Sequence, residues 1–274
     1  MRHILFFMTF VLVTSTLSAQ VSLIKIWQSD TVSLRNPESV LYDSASNLLY
    51  VSCTGSGSIA RMDLNGKVIE KDWVKGLNAN KGMGLFNGLL YTAEPSAVAV
   101  IDVDKHAIVK RIPVEGARML NDITIDSKGV VYVSDTWGEK VYKIVHDHPT
   151  LYLDHMPGAN GLLAVNSDLY LVTSTCLLKA DDKGKVQHIA DGFETGLDGI
   201  VMISDHAFII SNYRGILWYV KTDGTRQLLL DTRANRMMSN DIDYNPKTKT
   251  LYVPSFGTNC VLAYQVEQTY LRQH

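Results

Sequence analysis

The sequence predicts an all-β fold, a six-bladed β-propeller of four-stranded blades, and three observations carry that expectation. A unit of near forty residues recurs six times along the chain. Each copy alternates Val, Ile and Tyr with polar residues at the strand period of two, and none shows the 3.6-residue stripe of a helix. Pairs such as Asn65-Gly66, Lys183-Gly184 and Asp223-Gly224 supply the positive-φ residues that hairpins need where the third strand reverses into the fourth. Four strands in about forty residues is the length of a propeller blade, and helical repeats of that period are excluded by the missing stripe.

In chain order, the first residues have the layout of a secretory signal: Arg2, an apolar run from Ile4 to Val13, and small residues from Thr14 to Ala19. The run is too short to span a bilayer. Residues 1–19 are therefore expected to be removed, leaving residues 20–274 as one domain that is exported, periplasmic or extracellular, and free of the membrane. A buried N-terminal strand or a membrane anchor is the competing reading. With no cysteine near the cut, a lipid-anchored end is not expected.

The segment Ser22 to Gln28 (SLIKIWQ) has strand character but no partner of its own. The six copies then begin near Pro37, Lys81, Asn121, Asn160, Asp198 and Asn240. The last ends at about Val266 with three strands, one short of a blade. Residues 22–28 are expected to supply that outer strand, closing the ring through the two chain ends and removing exposed edges.

Composition excludes several functions. The chain has 274 residues, 46% of them hydrophobic, and a formal charge of -2 with no Lys/Arg run, which argues against a sequence-independent grip on nucleic acid. Cys53, Cys176 and Cys260 are an odd set, so disulfides are not the framework of this exported chain. Each reads first as a small buried hydrophobe. Cys53 and Cys260 could pair if the first and last blades are neighbours.

In a propeller the first strand of each blade lines the central channel. Aligning the copies on Tyr50, Tyr91, Tyr132, Tyr170, Phe208 and Tyr252 identifies the residues that open those strands: Glu38, Lys81, Asn121, Asn160, Asp198 and Asn240. Every one is polar among apolar neighbours, and together they hold two carboxylates, three amides and one ammonium. Such a set suits a hard cation, most naturally Ca2+ with Mg2+ or Mn2+ also open, whereas zinc favours His or Cys, absent at these positions. Asn and Asp also open strands by satisfying local backbone groups, which accounts for one or two openers but gives no reason for Glu38. Lys81 lowers cation affinity unless it turns to solvent or to Glu38; alternatively it holds an anionic substrate group.

The openers PESVLYD, LNDITID, ANGLLAV and LDGIVM resemble those of the senescence-marker-protein, gluconolactonase and luciferin-regenerating-enzyme family, six-bladed propellers that hold a divalent cation in the channel. The resemblance covers nearly all of the mature chain. It implies Glu38, Asn160 and Asp198 as metal ligands, with Asn121 contacting metal or substrate. It also implies a small-molecule substrate, a lactone or related ester, whose carbonyl the cation polarises while Asp198 draws a proton from the attacking water. Arg118, Lys81, Asn121 and Asn240 are the expected substrate-binding set. Two departures stand: the family's Asn-Asp-Gly is Asn121-Asp122-Ile123 here, and Arg118 lies three residues before that Asn rather than two.

Other features weigh less. His146-Asp147-His148 falls between the third and fourth strands of blade three and reads as a solvated loop. Ser56 and Ser58 lie in a hairpin context rather than a nucleophile elbow, and no P-loop, dinucleotide fingerprint or His-Glu-x-x-His occurs. Asp135 reads as a turn residue. Trp137, Tyr213 and Phe256 follow second strands, with packing as their default role and substrate contact the alternative. Two functions stay open: a metal-dependent hydrolase of lactones, esters or sugar-acid derivatives, and a non-catalytic propeller that binds a ligand or a protein partner. Ligands converging in the channel separate them, because a scaffold has little need of a bound cation.

Overall fold

The alternating segments form twenty-four strands in the computed structural model, which describes residues 17–272. They make six antiparallel sheets of four strands, each sheet a simple meander. The innermost strands are β2 (Pro37–Asp43), β6 (Met83–Phe86), β10 (Leu120–Ile125), β14 (Leu162–Val165), β18 (Leu197–Ser204) and β22 (Asp243–Asn245). Each touches the next in cyclic order, and β22 touches β2, so the sheets stand as blades around a channel.

Six hydrophobic clusters form the core, one in each seam between neighbouring blades. Alternation explains this: each blade has neighbours on both faces, so apolar residues of both parities are buried. The second-strand aromatics used to align the repeats sit in these seams. Tyr170 and Phe208 bring their rings to 4.8 Å across blades four and five, and Tyr252 lies 6.0 Å from Trp27.

Ring closure follows the expected route. Strand β1 (Leu17–Gln28) pairs antiparallel with β24 (Cys260–Arg272), with Leu23 opposite Val266 and Ile24 opposite Gln265, as the outermost strand of the sheet containing β22. The strand is longer than the expected 22–28 and reaches back into the last three residues of the expected signal, whose residues 1–16 lie outside the described residues. Among the described residues no helix is long and apolar enough to cross a membrane.

The open question of a Cys53–Cys260 bridge is answered in the negative, since Cys53, Cys176 and Cys260 are all free thiols. Cys53 packs in the seam of blades one and six and Cys260 in that of blades five and six. Burial pushes the Cys53 thiol up to about 11, leaving it an inert hydrophobe.

Candidate functional site

One device recurs where the inner strands reach the channel mouth. Their pairing with the second strand slips between Pro37 and Ser39, between Leu120 and Ile123, and between Leu197 and Ile200. At each slip a buried serine of the second strand replaces the lost ladder bond: Ser52 Oγ accepts from the Ser39 N–H, Ser134 Oγ from Asp122 and Ser211 Oγ from Gly199. A bulge of this kind re-aims one side chain, here the opener, toward the axis. Asp135 serves the preceding loop. Its carboxylate accepts the N–H groups of Arg118, Met119 and Gly138 and fixes the approach to Asn121.

Glu38, Lys81, Asn121, Asn160, Asp198 and Asn240 all line one cavity of about 340 Å³ at this mouth. Neighbouring openers bond directly. The Lys81 ammonium lies 3.3 Å from Glu38 Oε1, Asn160 donates to Asp198 Oδ1 at 2.9 Å, and Asn240 donates to Asp198 Oδ2 at 3.2 Å. Asn240 is held in that orientation because its own oxygen accepts the Phe256 N–H. Asn121 donates to Thr136 Oγ1, which in turn donates to the Ala159 carbonyl.

A second tier lies just below, where the residue following each opener packs. Gly82, Gly161 and Gly199 let the inner strands meet: a Cβ on Gly161 would stand 2.2 Å from the Asp198 carbonyl oxygen, and one on Gly82 2.2 Å from Asp122 Oδ1. Asp122 and Asp241, from opposite blades three and six, approach closely enough for one carboxyl to hydrogen-bond the other, and Ser39 Oγ donates to Asp241 at 2.6 Å. Both carboxyls also line a cavity of about 110 Å³ opening toward the other end of the channel.

The channel is therefore strongly acidic. Glu38, Asp122, Asp198 and Asp241 are buried together against the single ammonium of Lys81. Burial pushes Asp198 well above the usual carboxylate range; the charge of Glu38 adds to this, and Lys81 opposes it. Burial likewise raises Asp241 well above its ordinary value and Asp122 to about 8, each with help from its carboxylate neighbours. Glu38 is raised by burial with Lys81 acting against it, while the carboxylate of Glu38 holds Lys81 above its ordinary value.

Three oxygens at the mouth accept no hydrogen bond from the protein. Glu38 Oε2 is buried with no partner at all. The nitrogens of Asn121 and Asn160 donate to Thr136 and Asp198, and their amide oxygens accept from no group among the described residues. With Asp198 these are hard oxygen donors, and an orphaned carboxylate oxygen amid excess negative charge fits a divalent cation of the Ca2+ type. The site holds two carboxylates rather than a His/Cys/Asp/Glu cluster, and no such group of three or more occurs among the described residues.

One expected member is elsewhere. Arg118 is exposed and does not line the cavity; Met119 does. On extended chain, residues i and i+2 share a side, so Met119 and Asn121 face the channel and Arg118, three before the Asn, faces away. His146 and Asp147 form a left-handed turn in which Lys110 pairs with Asp147. Ser56 bonds only Ser58 and the Cys53 carbonyl within its hairpin.

Asp122, Asp241, Ser39 and Thr136 join the site without having been expected there, and Trp137, Tyr213 and Phe256, for which packing was the default and substrate contact the alternative, all line the cavity with Met119 and Met238. A signal for the acidic pair was present. Asn121-Asp122-Ile123 and Asn240-Asp241-Ile242 are the same tripeptide in blades that face each other across the ring.

Fold and mouth together define a six-bladed propeller with an acidic, oxygen-lined site at one end of its channel. Among solved structures the fold is similar to a gluconolactonase from Xanthomonas campestris, with TM-score 0.72 and 16% identity over 88% of this chain and 89% of that one. A luciferin-regenerating enzyme matches at TM-score 0.67 and 14% identity over 91% of this chain and 95% of its own. The architecture named by the opener motifs is thus the one found, but it is shared with other chemistry. A virginiamycin B lyase from Staphylococcus aureus matches at TM-score 0.67 and 10% identity over 90% of this chain and 99% of that one. No family model and no curated protein sequence matches the chain.

Proposed function

We infer that the protein is an exported, divalent-metal-dependent hydrolase of lactones or related esters, working at the channel mouth. The observation that carries this reading is the orphaned Glu38 Oε2 in a cavity onto which all six openers converge. Glu38, Asn160 and Asp198 would hold the cation, with Asn121 as a further oxygen donor. A bound Ca2+ supplies Lewis acidity toward a substrate carbonyl.

The protein's own groups do the rest. Amide donors from Asn160 and Asn240 fix the Asp198 carboxylate in place. So held, it is placed to take a proton from the attacking water. As the water oxygen bonds the acyl carbon, the ring C–O bond breaks and the leaving oxygen receives that proton. Lys81 is positioned to pair with a carboxylate on substrate or product once it leaves Glu38.

The Lys81–Glu38 ion pair also supports a second reading, in which the ring holds an anionic ligand without turnover. Calcium titration by calorimetry on wild type and Asp198→Ala separates the two. The hydrolase reading expects binding that the variant loses, followed by lactone hydrolysis that a chelator abolishes. Equal binding by both proteins, or none by either, removes its foundation.

A further inference from the structure

Above the charged floor the cavity changes character. Its upper wall is made of Met119 and Trp137 from blade three, Tyr213 from blade five, and Met238 and Phe256 from the loops of blade six. Blades one, two and four contribute only Glu38, Lys81 and Asn160. The apolar groups therefore stand on two sides of the mouth, because blades three and six oppose each other in a six-membered ring.

Trp137 is the most telling of them. Its backbone is rigidly held: Thr136 N–H bonds the Met119 carbonyl at 2.9 Å, Thr136 Oγ1 ties Asn121 to Ala159, and Gly138 N–H bonds Asp135. Yet the indole is 62% exposed and meets no other ring, cation or hydrogen-bond acceptor among the described residues. A large aromatic presented on a fixed backbone beside a charged pocket has no packing role to explain it. Tyr213 is 39% exposed, carries the Arg214 guanidinium over its ring at 5.6 Å, and has one ring edge 2.6 Å from where a Cβ on Gly196 would stand. Only a glycine there admits the ring.

The wall offers few hydrogen-bonding groups: Trp137 brings one indole N–H and Tyr213 one hydroxyl, Thr136 Oγ1 already accepts from Asn121 and donates to Ala159, and thioethers and a phenyl ring offer no strong partner. The hydroxyls of a polyhydroxylated sugar lactone that met this wall and not the polar floor would outnumber their partners, at a cost for each one left unpaired. An aryl or alkyl substituent would bury Trp137, Phe256 and the methionines at a gain.

We propose that the ligand of this site is a lactone or ester with an apolar, aryl or alkyl, substituent held between Trp137 and Phe256, and not a polyhydroxylated sugar lactone. This rests on the hydrolase reading for the carbonyl end and on the wall alone for the apolar end. The test pairs phenyl- and butyl-substituted δ-valerolactones with glucono-δ-lactone in hydrolysis. The matching lactams, resistant to hydrolysis, are compared in calorimetric binding with calcium present. Wild type, Trp137→Ala, Trp137→Phe and Phe256→Ala are compared.

The expected result is a preference of roughly tenfold or more for the substituted compounds in kcat/KM and in binding, lost in Trp137→Ala and kept in Trp137→Phe. Glucono-δ-lactone handled as well as the substituted lactones overturns the proposal and leaves the hydrolase reading standing. Substituted lactams that bind, with Trp137→Ala weakening them, while no lactone is cleaved, support the ligand class and overturn the hydrolase. No binding and no cleavage by any compound overturns both.

Discussion

The ammonium of Lys81 lies 3.3 Å from one carboxylate oxygen of Glu38, and the other oxygen of that carboxylate is buried without a partner. One residue of blade one is thus half satisfied by blade two and half left open to the channel. Lys81 stands where it partly neutralises the charge that a cation would use.

Replacing Lys81 by Met keeps the length and apolar stem of the side chain and removes the charge. Calcium affinity is expected to rise by about tenfold or more, since an ammonium this close to a ligand competes directly with the cation. Calorimetric titration of Lys81→Met against wild type reads it. Weaker binding in the variant would mean that Lys81 organises Glu38 for the ion instead of excluding it.

Acidity in the channel sets a pH dependence of stability. Burial raises Asp198 and Asp241 well above the usual range, Asp122 to about 8 and Asp243 to about 6. An unfolded Asp releases its proton near pH 3.9, roughly, so between that value and the folded pKa the native state binds more protons than the unfolded one. The contribution of these groups is therefore full below the unfolded value and is lost as pH rises through the folded ones. In chelator, the urea midpoint is expected to fall between about pH 5 and pH 8.5. Calcium binds the deprotonated carboxylates, so its affinity should climb over the same interval and offset the loss. A midpoint that rises with pH in chelator contradicts this account.

Much of this was legible in the sequence, because repeats report themselves. The six openers emerge from alignment alone, and the residues around Leu23 have strand character but no local partner, which is enough to place β1 beside Val266. What alignment cannot see is direction at the strand ends. Arg118 and Met119 differ by one position, and the anchoring of both N–H groups on Asp135 holds the entry to the strand extended, so that Met119 and not Arg118 shares the side of Asn121. Nor does pattern reveal that Trp137, between Thr136 and Gly138, stands largely exposed at the channel mouth.

Ser211 is expected to matter more than its size implies. Its hydroxyl accepts the Gly199 N–H at 2.7 Å and donates to the Asn240 carbonyl at 2.7 Å, tying blade five to blade six where both openers emerge. Ser211→Ala leaves two buried backbone groups unpaired. Destabilisation of about 1–3 kcal/mol by urea unfolding is the expected outcome. Ser211→Thr, which keeps the hydroxyl, should recover part of it; an Ala variant as stable as wild type would show that water takes over both bonds.

Gly161 sets how closely blades four and five approach. Its N–H bonds the Asp198 carbonyl at 2.6 Å, and a Cβ at that position would stand 2.2 Å from the same oxygen and 2.9 Å from the Cα of Gly199. Backbone atoms cannot rotate aside as a flexible side chain can, so Gly161→Ala must push the two inner strands apart. Overpacking of this kind costs about 1–3 kcal/mol in general, and a lower urea midpoint is expected. The same displacement moves Asp198 relative to Asn160, so calcium affinity should fall together with stability. Were the variant to keep wild-type affinity while losing stability, the spacing of blades four and five would be a requirement of the fold and not of the ion.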